Sequence, residues 1–325
     1  MRALRQGVEL VPAGPMTELA AVATPVETGP DTGAPWHYGD PYAEQRALAL
    51  GTAAVDLSHR PVVRVAGPDR LTWLHALTSQ HLTGLVPGVW TQALILSPHG
   101  HVEHHLTLVD DGAAVLLHVE PGTSEVLLGY LRSMVFWSEV EVADVSAELG
   151  VLRSLAGDEL VPRDGLAPRL ASYERPAGLW AAEALRVEAG VPRLGFETDH
   201  RTIPAEVGWI GPAVHLDKGC YRGQETVARV HNLGRPPRRL VQLHLDGSDA
   251  GLPSHGDPVT NAEGRVVGFV GTAARHHELG PIALALVKRT VADGEPLVAG
   301  APEHAVAAVP GSLGSLGSLP DDLER

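Results

Sequence analysis

Apolar and polar positions change period several times along this chain, and each change marks a different element. In "PVVRVAG", residues 61–67, the spacing of Val63 and Val65 predicts a strand with both valines on one face. Over 67–82 the apolar residues recur at 71, 74, 77 and 82, which is helical spacing, with Asp69 placed to cap the start. "TQALILS" (91–97) and "HLTLVDDGAAVLLHV" (105–119) read as strands, the second broken by a turn at "DDG". A helix over 122–135 and a strand over 138–145 follow. A further helix over 178–190 stops at Gly190, with Val-Pro just beyond. Past Pro237 the pattern changes: 238–247, 257–274 and 282–289 alternate and are punctuated by Gly, Asp and Asn. Strands mixed with helices, then strands alone, predict an α+β body over 42–237 and a small antiparallel β-barrel over 238–309.

The two ends carry no such period. Residues 1–41 are rich in Pro and Gly and read as a disordered lead, with Met16 as a second possible start. Residues 310–325 repeat Gly-Ser-Leu three times and read as a flexible tail.

A length of 325 residues is more than one ordinary core organises, which agrees with several modules. At 44% hydrophobic and 20% charged, the composition is that of a soluble globular protein. No run reaches a membrane span and the first residues lack a secretory apolar core, so a cytoplasmic protein with no membrane partner is expected. The net charge of −14 argues against a broad nucleic-acid footprint, which needs a basic face, and so against direct tRNA binding.

Charge is uneven, however. Between Val214 and Leu240, Lys218, Arg222, Arg229, Arg235, Arg238 and Arg239 face only Asp217 and Glu225. Inside this stretch sits the single cysteine, Cys220, in "DKGCYRGQE". One cysteine cannot close an internal disulfide or supply a thiolate cage. Its role is therefore reactive, intermolecular, or that of a small packed hydrophobe. "GQETVARVHNLG" (223–234) has the spacing of a short helix closed by Gly234, which places Cys220 in the loop before a helix N-terminus. Unpaired N–H groups, Lys218 and Arg222 would all favour a thiolate there, and Gly219 and Gly223 would let backbone approach closely.

The run "KGCYRGQETVAR", with Lys218, Gly219, Cys220, Tyr221, Gly223, Gln224 and Glu225, resembles the signature of the YgfZ-type folate-binding proteins. These are relatives of the glycine-cleavage T-protein (aminomethyltransferase) that take part in iron–sulfur protein maturation. The likeness extends over about residues 42–309, through "GTAAVDLSHRPVVRVAGPDRLTWLHALTSQHL" and "ALRVEAGVPRLGFETDHRTIPAEVGW". It implies two partly interleaved α+β modules around a central folate hole, joined to the C-terminal barrel. It also implies tetrahydrofolate or a derivative as ligand, transient contact of Cys220 with iron or an iron–sulfur cluster, and client enzymes or assembly factors as partners, tRNA-modifying enzymes among the clients. Folate contacts are then expected from Trp180 by stacking, with a core role as its alternative, and from Arg186, Glu188, Glu206 and Arg229.

The chain departs from the transferase pattern. In "LSPHGHVEHHLTL" the place of the T-protein catalytic aspartate falls on His104, which removes the expected agent of proton handling in aminomethyl transfer. A folate-dependent one-carbon transferase is therefore the second reading, with Glu103 as its only carboxylate in that loop. His99, His101, Glu103 and His105 also alternate, so on a strand they would share a face and offer zinc or iron a ligand set.

Overall fold

The computed structural model describes residues 23–247 and 251–311. The body holds two sheets whose strands are interleaved along the chain. A four-stranded sheet runs in the order Gly157–Pro162, Leu149–Ser154, Ala53–Asp56, Arg175–Ala177. A five-stranded sheet runs Trp90–Leu96, Val102–Asp110, Ala114–His118, Val62–Ala66, Glu141–Asp144. The chain thus enters the small sheet at Ala53, leaves to build the whole of the large one, and returns at Leu149. The six strands from Arg238 to Gly311 close an antiparallel barrel in the order Arg238–Leu245, Gly280–Lys288, Val266–His276, Pro258–Asn261, Leu297–Ala299, Val306–Gly311. The mixed α+β body and the barrel expected from the change of period are both present.

Local physics explains how the elements lock together. Val63 and Val65 face one core with Leu74, Leu106 and Leu117, as their spacing requires. Val62 points the other way, into a second core with Val55 and Val151. One strand therefore joins two cores, and its valines are wholly buried on both faces.

The helix predicted over 67–82 is shorter, Arg70–Leu77, and Asp69 makes no side-chain cap; its carboxylate instead accepts from the Glu139 amide at 2.8 Å. The chain leaves the helix because Thr78–Gln80 are used as a buried link. There the Ser79 N–H donates to the Leu94 carbonyl at 2.9 Å, and its hydroxyl donates to that of Ala213 at 2.7 Å. Long-range partners outweigh helical propensity at this point.

The lead expected to be disordered is structured over its described part. Thr24–Pro25 pairs with Pro35–His37, and the turn between them carries Asp31 into the interior, 8% exposed. A helix then starts at Pro41, capped by Asp40, whose carboxylate accepts from the Ala43 amide at 2.9 Å. Composition hides this because the hairpin is held by Asp31 and by close backbone packing, neither of which makes an apolar period. The remainder of the lead, residues 1–22, and the tail from 312 lie outside the described residues. Among the described residues no helix is long and apolar enough to cross a membrane.

Candidate functional site

The cysteine loop is built on two glycines and a lysine. Gly223 has φ +82° and starts the helix Gln224–Leu233; a methyl group there would lie 2.6 Å from the Ser97 carbonyl oxygen and 2.9 Å from Gly100 Cα. Gly100, at φ +79°, is equally close to Thr226. Backbone-to-backbone contact between these glycines joins the thiol loop to the histidine loop, and only glycine tolerates both the crowding and the positive φ. Cys220 itself is exposed.

The two cations expected beside the thiol are spent elsewhere. Lys218 is buried, and its ammonium donates to the carbonyls of His75 and Thr78, closing the C-terminal end of the helix Arg70–Leu77. Burial pushes its pKa down to about 8. Arg222 pairs with Glu103 at 3.0 Å. Tyr221 packs into a core with Trp209, while Gly219 and Glu225 are exposed and Gln224 is half-buried at the start of the helix.

The histidine set does not converge. His99 and His101 lie in a turn with ring centroids 6.2 Å apart, Glu103 is on Arg222, and His105 faces the interior. Among the described residues no group of three such side chains forms a metal site. His104, at the position of the expected carboxylate, is buried on the face of its strand shared with Val102 and Leu106, and burial pushes its pKa down to about 4.

The chemistry gathers instead in a cavity of about 270 Å³ between the two sheets. Trp90, Gln92, His105 and Thr107 come from the large sheet, and Arg153 and Asp158 from the small one. Arg60 and Glu120 come from loops after strands, Arg186 from the helix Leu179–Glu188 and Arg193 from the segment that follows it. His105 stacks on Trp209 with centroids 4.7 Å apart, and its Nε2–H donates to the Gln92 amide oxygen at 2.8 Å. Burial pushes its pKa down to about 4, so it is neutral at pH 7.

Ion pairs hold the wall. Arg193 donates to both oxygens of Asp31 at 3.0 Å and to Glu120 at 2.6 Å. Arg186 bonds Glu183, Glu197, the Val191 carbonyl and Thr272 of the barrel. Arg153 forms a fork on Asp158, which also accepts from His118 at 2.8 Å. Burial opposes each charge, and the partners outweigh it: Glu120 is held down at about 2 by Arg60 and Arg193, and Asp158 lower still by Arg153. Arg193 is protonated more firmly than usual by Glu183 and Glu120. Both cavity carboxylates are therefore poor bases at neutral pH.

Of the expected folate contacts, only Arg186 lines this cavity. Trp180 stacks on Trp36 at 5.7 Å, in a cluster with His37 and Tyr42 away from the wall. Glu188 pairs with His276 at 3.2 Å. Glu206 holds Arg238 and the Ile203 amide, and Arg229 is exposed. Sequence reasoning missed Asp31, Arg60, Glu120, Arg153, Asp158 and Arg193. The one available signal was a charge set against an apolar run, as Arg60 is in "SHRPVVRV".

Comparison with known proteins agrees with this fold. Residues 238–312 match the glycine cleavage T-protein C-terminal barrel domain. An aminomethyltransferase of Geobacillus kaustophilus is 29% identical over 306 residues, covering 77% of this chain and 82% of that protein. One of Parasynechococcus marenigrum is 25% identical over 309 residues, covering 77% and 83%. A chloroplastic protein of Arabidopsis thaliana, named as a transferase, is 26% identical over 275 residues, 68% of this chain but only 62% of the relative's own length. The crystal structure of the glycine cleavage system aminomethyltransferase T from Bartonella henselae superposes with a TM-score of 0.77 at 18% identity, covering 92% of this chain and 95% of that one. These likenesses support the T-protein superfamily, and the fold is a T-protein fold.

Proposed function

We propose that this chain is a YgfZ-type folate-binding protein that seats the pterin of a tetrahydrofolate in the central cavity and serves iron–sulfur client enzymes through Cys220. The observation that carries the reading is the cavity itself, set between the two sheets of a T-protein fold with a charged, hydrogen-bonding wall beside Trp90, Val191 and Pro192. A planar fused heterocycle with polar edges fits such a wall. The volume is at the low end for small-molecule sites and suits the ring system rather than a whole folate. The p-aminobenzoylglutamate tail then extends outward.

The locked carboxylates support binding over turnover. Glu120 and Asp158 are held ionised by arginines, and Glu103 lies outside the cavity on Arg222. The relatives named as aminomethyltransferases favour folate-dependent aminomethyl transfer as the second reading. An exposed thiol set apart from the cavity supports work on an external partner, by transient ligation of iron, free or in a client's cluster.

The test is calorimetric titration with tetrahydrofolate and a polyglutamylated form, on wild type and Cys220→Ala. Micromolar binding by both proteins, with loss of client-enzyme activity only in cells carrying Cys220→Ala, is the expected result. Absence of binding removes the folate reading. Aminomethyl transfer that is lost in Glu103→Gln but kept in Cys220→Ala establishes the transferase instead.

A further inference from the structure

Four arginines line the cavity, and three of them each make two or more bonds to carboxylate partners. Arg193 is shared among Asp31, Glu120 and Glu183, Arg186 spans Glu183, Glu197 and Thr272, and Arg153 forks onto Asp158. Arg60 is different. Its side chain is 8% exposed, its one ion pair is with Glu120 at 3.1 Å, and Glu120 is itself drawn toward Arg193 at 2.6 Å. Its Nε is buried and has no hydrogen-bond partner among the described residues. A buried donor without an acceptor forfeits its hydration with no bond in return, and a charged one forfeits more. The segment does not relax to relieve it, because the Arg60 amide is tied to the Leu57 carbonyl at 2.8 Å and Val62 is fixed in the sheet between two cores.

The electrostatics separate the four in the same way. Arg153, Arg186 and Arg193 hold their protons more firmly than an ordinary arginine because their carboxylates outweigh burial. Arg60 holds its proton less firmly: burial dominates, Glu120 compensates in part, and Arg153 and Arg193 add repulsion. Among the described residues it is the cavity guanidinium with a buried nitrogen left unbonded and a charge only partly compensated.

We propose that Arg60 is the specificity-determining residue of the cavity, donating to a ring carbonyl oxygen on the acceptor edge of the bound heterocycle and rejecting heterocycles that present an amino group there. This rests on the folate-binding reading and adds which edge of the pterin is read and by which residue. A pterin carries an amide-type carbonyl that accepts from a guanidinium; a 2,4-diaminopteridine replaces that oxygen with a donor. A site built to bond a group rejects analogues lacking it, because its own buried donor is left unpaired. The tail carboxylate of a folate is the other oxygen acceptor that could meet an arginine, and ligand fragments separate the two.

The experiment is calorimetric titration of wild type, Arg60→Lys and Arg60→Gln with 5-formyltetrahydrofolate. Two further ligands are a 2,4-diaminopteridine bearing the same tail and p-aminobenzoylglutamate, which lacks the pterin. Wild type is expected to bind the 4-oxo ligand at least tenfold more tightly than the diamino one, and Arg60→Gln to reduce that ratio at least fivefold. Equal affinity of wild type for the two pteridines overturns the proposal without reference to any variant, so a poorly folded variant does not protect it. A ratio unchanged in Arg60→Gln also overturns it. So does wild-type affinity for p-aminobenzoylglutamate that matches the whole ligand and falls in the variants, which would assign Arg60 to the tail. No binding of 5-formyltetrahydrofolate by wild type removes the folate reading, and this inference with it; binding without discrimination removes this inference alone.

Discussion

The cavity wall and the cysteine loop treat charge in opposite ways. In the wall, five carboxylates and four guanidiniums, with Arg153 half-buried among them, lie together and pair with one another. In the loop, Lys218 turns inward to close a helix end, Arg222 lies on Glu103, and the thiol is left at the surface with neither ammonium nor guanidinium bonded to it. The loop bears the recognisable signature, yet the wall has the enclosed, desolvated geometry that binds a small molecule. A run of residues adjacent in sequence is easy to recognise; a site drawn from positions between 31 and 193 is not. The difference also separates two tasks, holding a ligand inside and meeting a partner outside.

The largest effect should come from opening the wall. Arg193→Met leaves Asp31, Glu120 and Glu183 buried with less compensation, and breaking such a pair costs about 3–5 kcal/mol. Urea unfolding should show that loss, and a change within ~0.5 kcal/mol would mean the network is solvated and the contrast with the loop false. Next is the joint between the regions. Gly223→Ala forces a side chain against Ser97 and Gly100 at a positive φ, so a loss of about 1–3 kcal/mol is expected, with ligand affinity affected less than stability.

The pH dependence should differ between the regions and sharpen the comparison. His105 and His104 have folded pKa values near 4, below the unfolded value, so the unfolded chain binds more protons between about pH 4 and 6.5. Stability is therefore lost as pH falls through that window, and His105→Asn should flatten part of that acid limb in thermal melts. Lys218, folded near 8 against an ordinary 10.5, gives a second rise as pH climbs from about 8 to 10.5. Lys218→Met should abolish that alkaline rise while leaving the acid limb intact. The smallest effect is Cys220→Ala, expected to change unfolding free energy by no more than about 0.5 kcal/mol, since the side chain is exposed. A larger loss would make the thiol structural.

Much of the fold was legible because period reports burial. The valines at 63 and 65, the helix closed by Gly234 and the change past Pro237 all appear where their spacing put them. The site was legible only at its edge. Trp180 has the chemistry of a stacking platform and lies in a separate aromatic cluster, while Arg186 lines the cavity but is already engaged by Glu183 and Glu197. Position along a helix tells which face a residue shares, not which distant carboxylate has claimed it. Asp31 is the sharpest case: it sits in a Pro/Gly-rich lead that predicts no structure, yet it accepts a bidentate bond from Arg193.

That reach along the chain has a consequence for biosynthesis. A ribosome releases the polypeptide from its first residue onward, so Asp31 and Glu120 emerge well before Arg193, and Arg186 before its barrel partner Thr272. Until Arg193 emerges, the nascent wall holds Asp31 and Glu120 without the guanidinium that joins them. The pocket can close only after Arg193 has emerged, past the middle of the chain, which makes it a late acquisition of this protein.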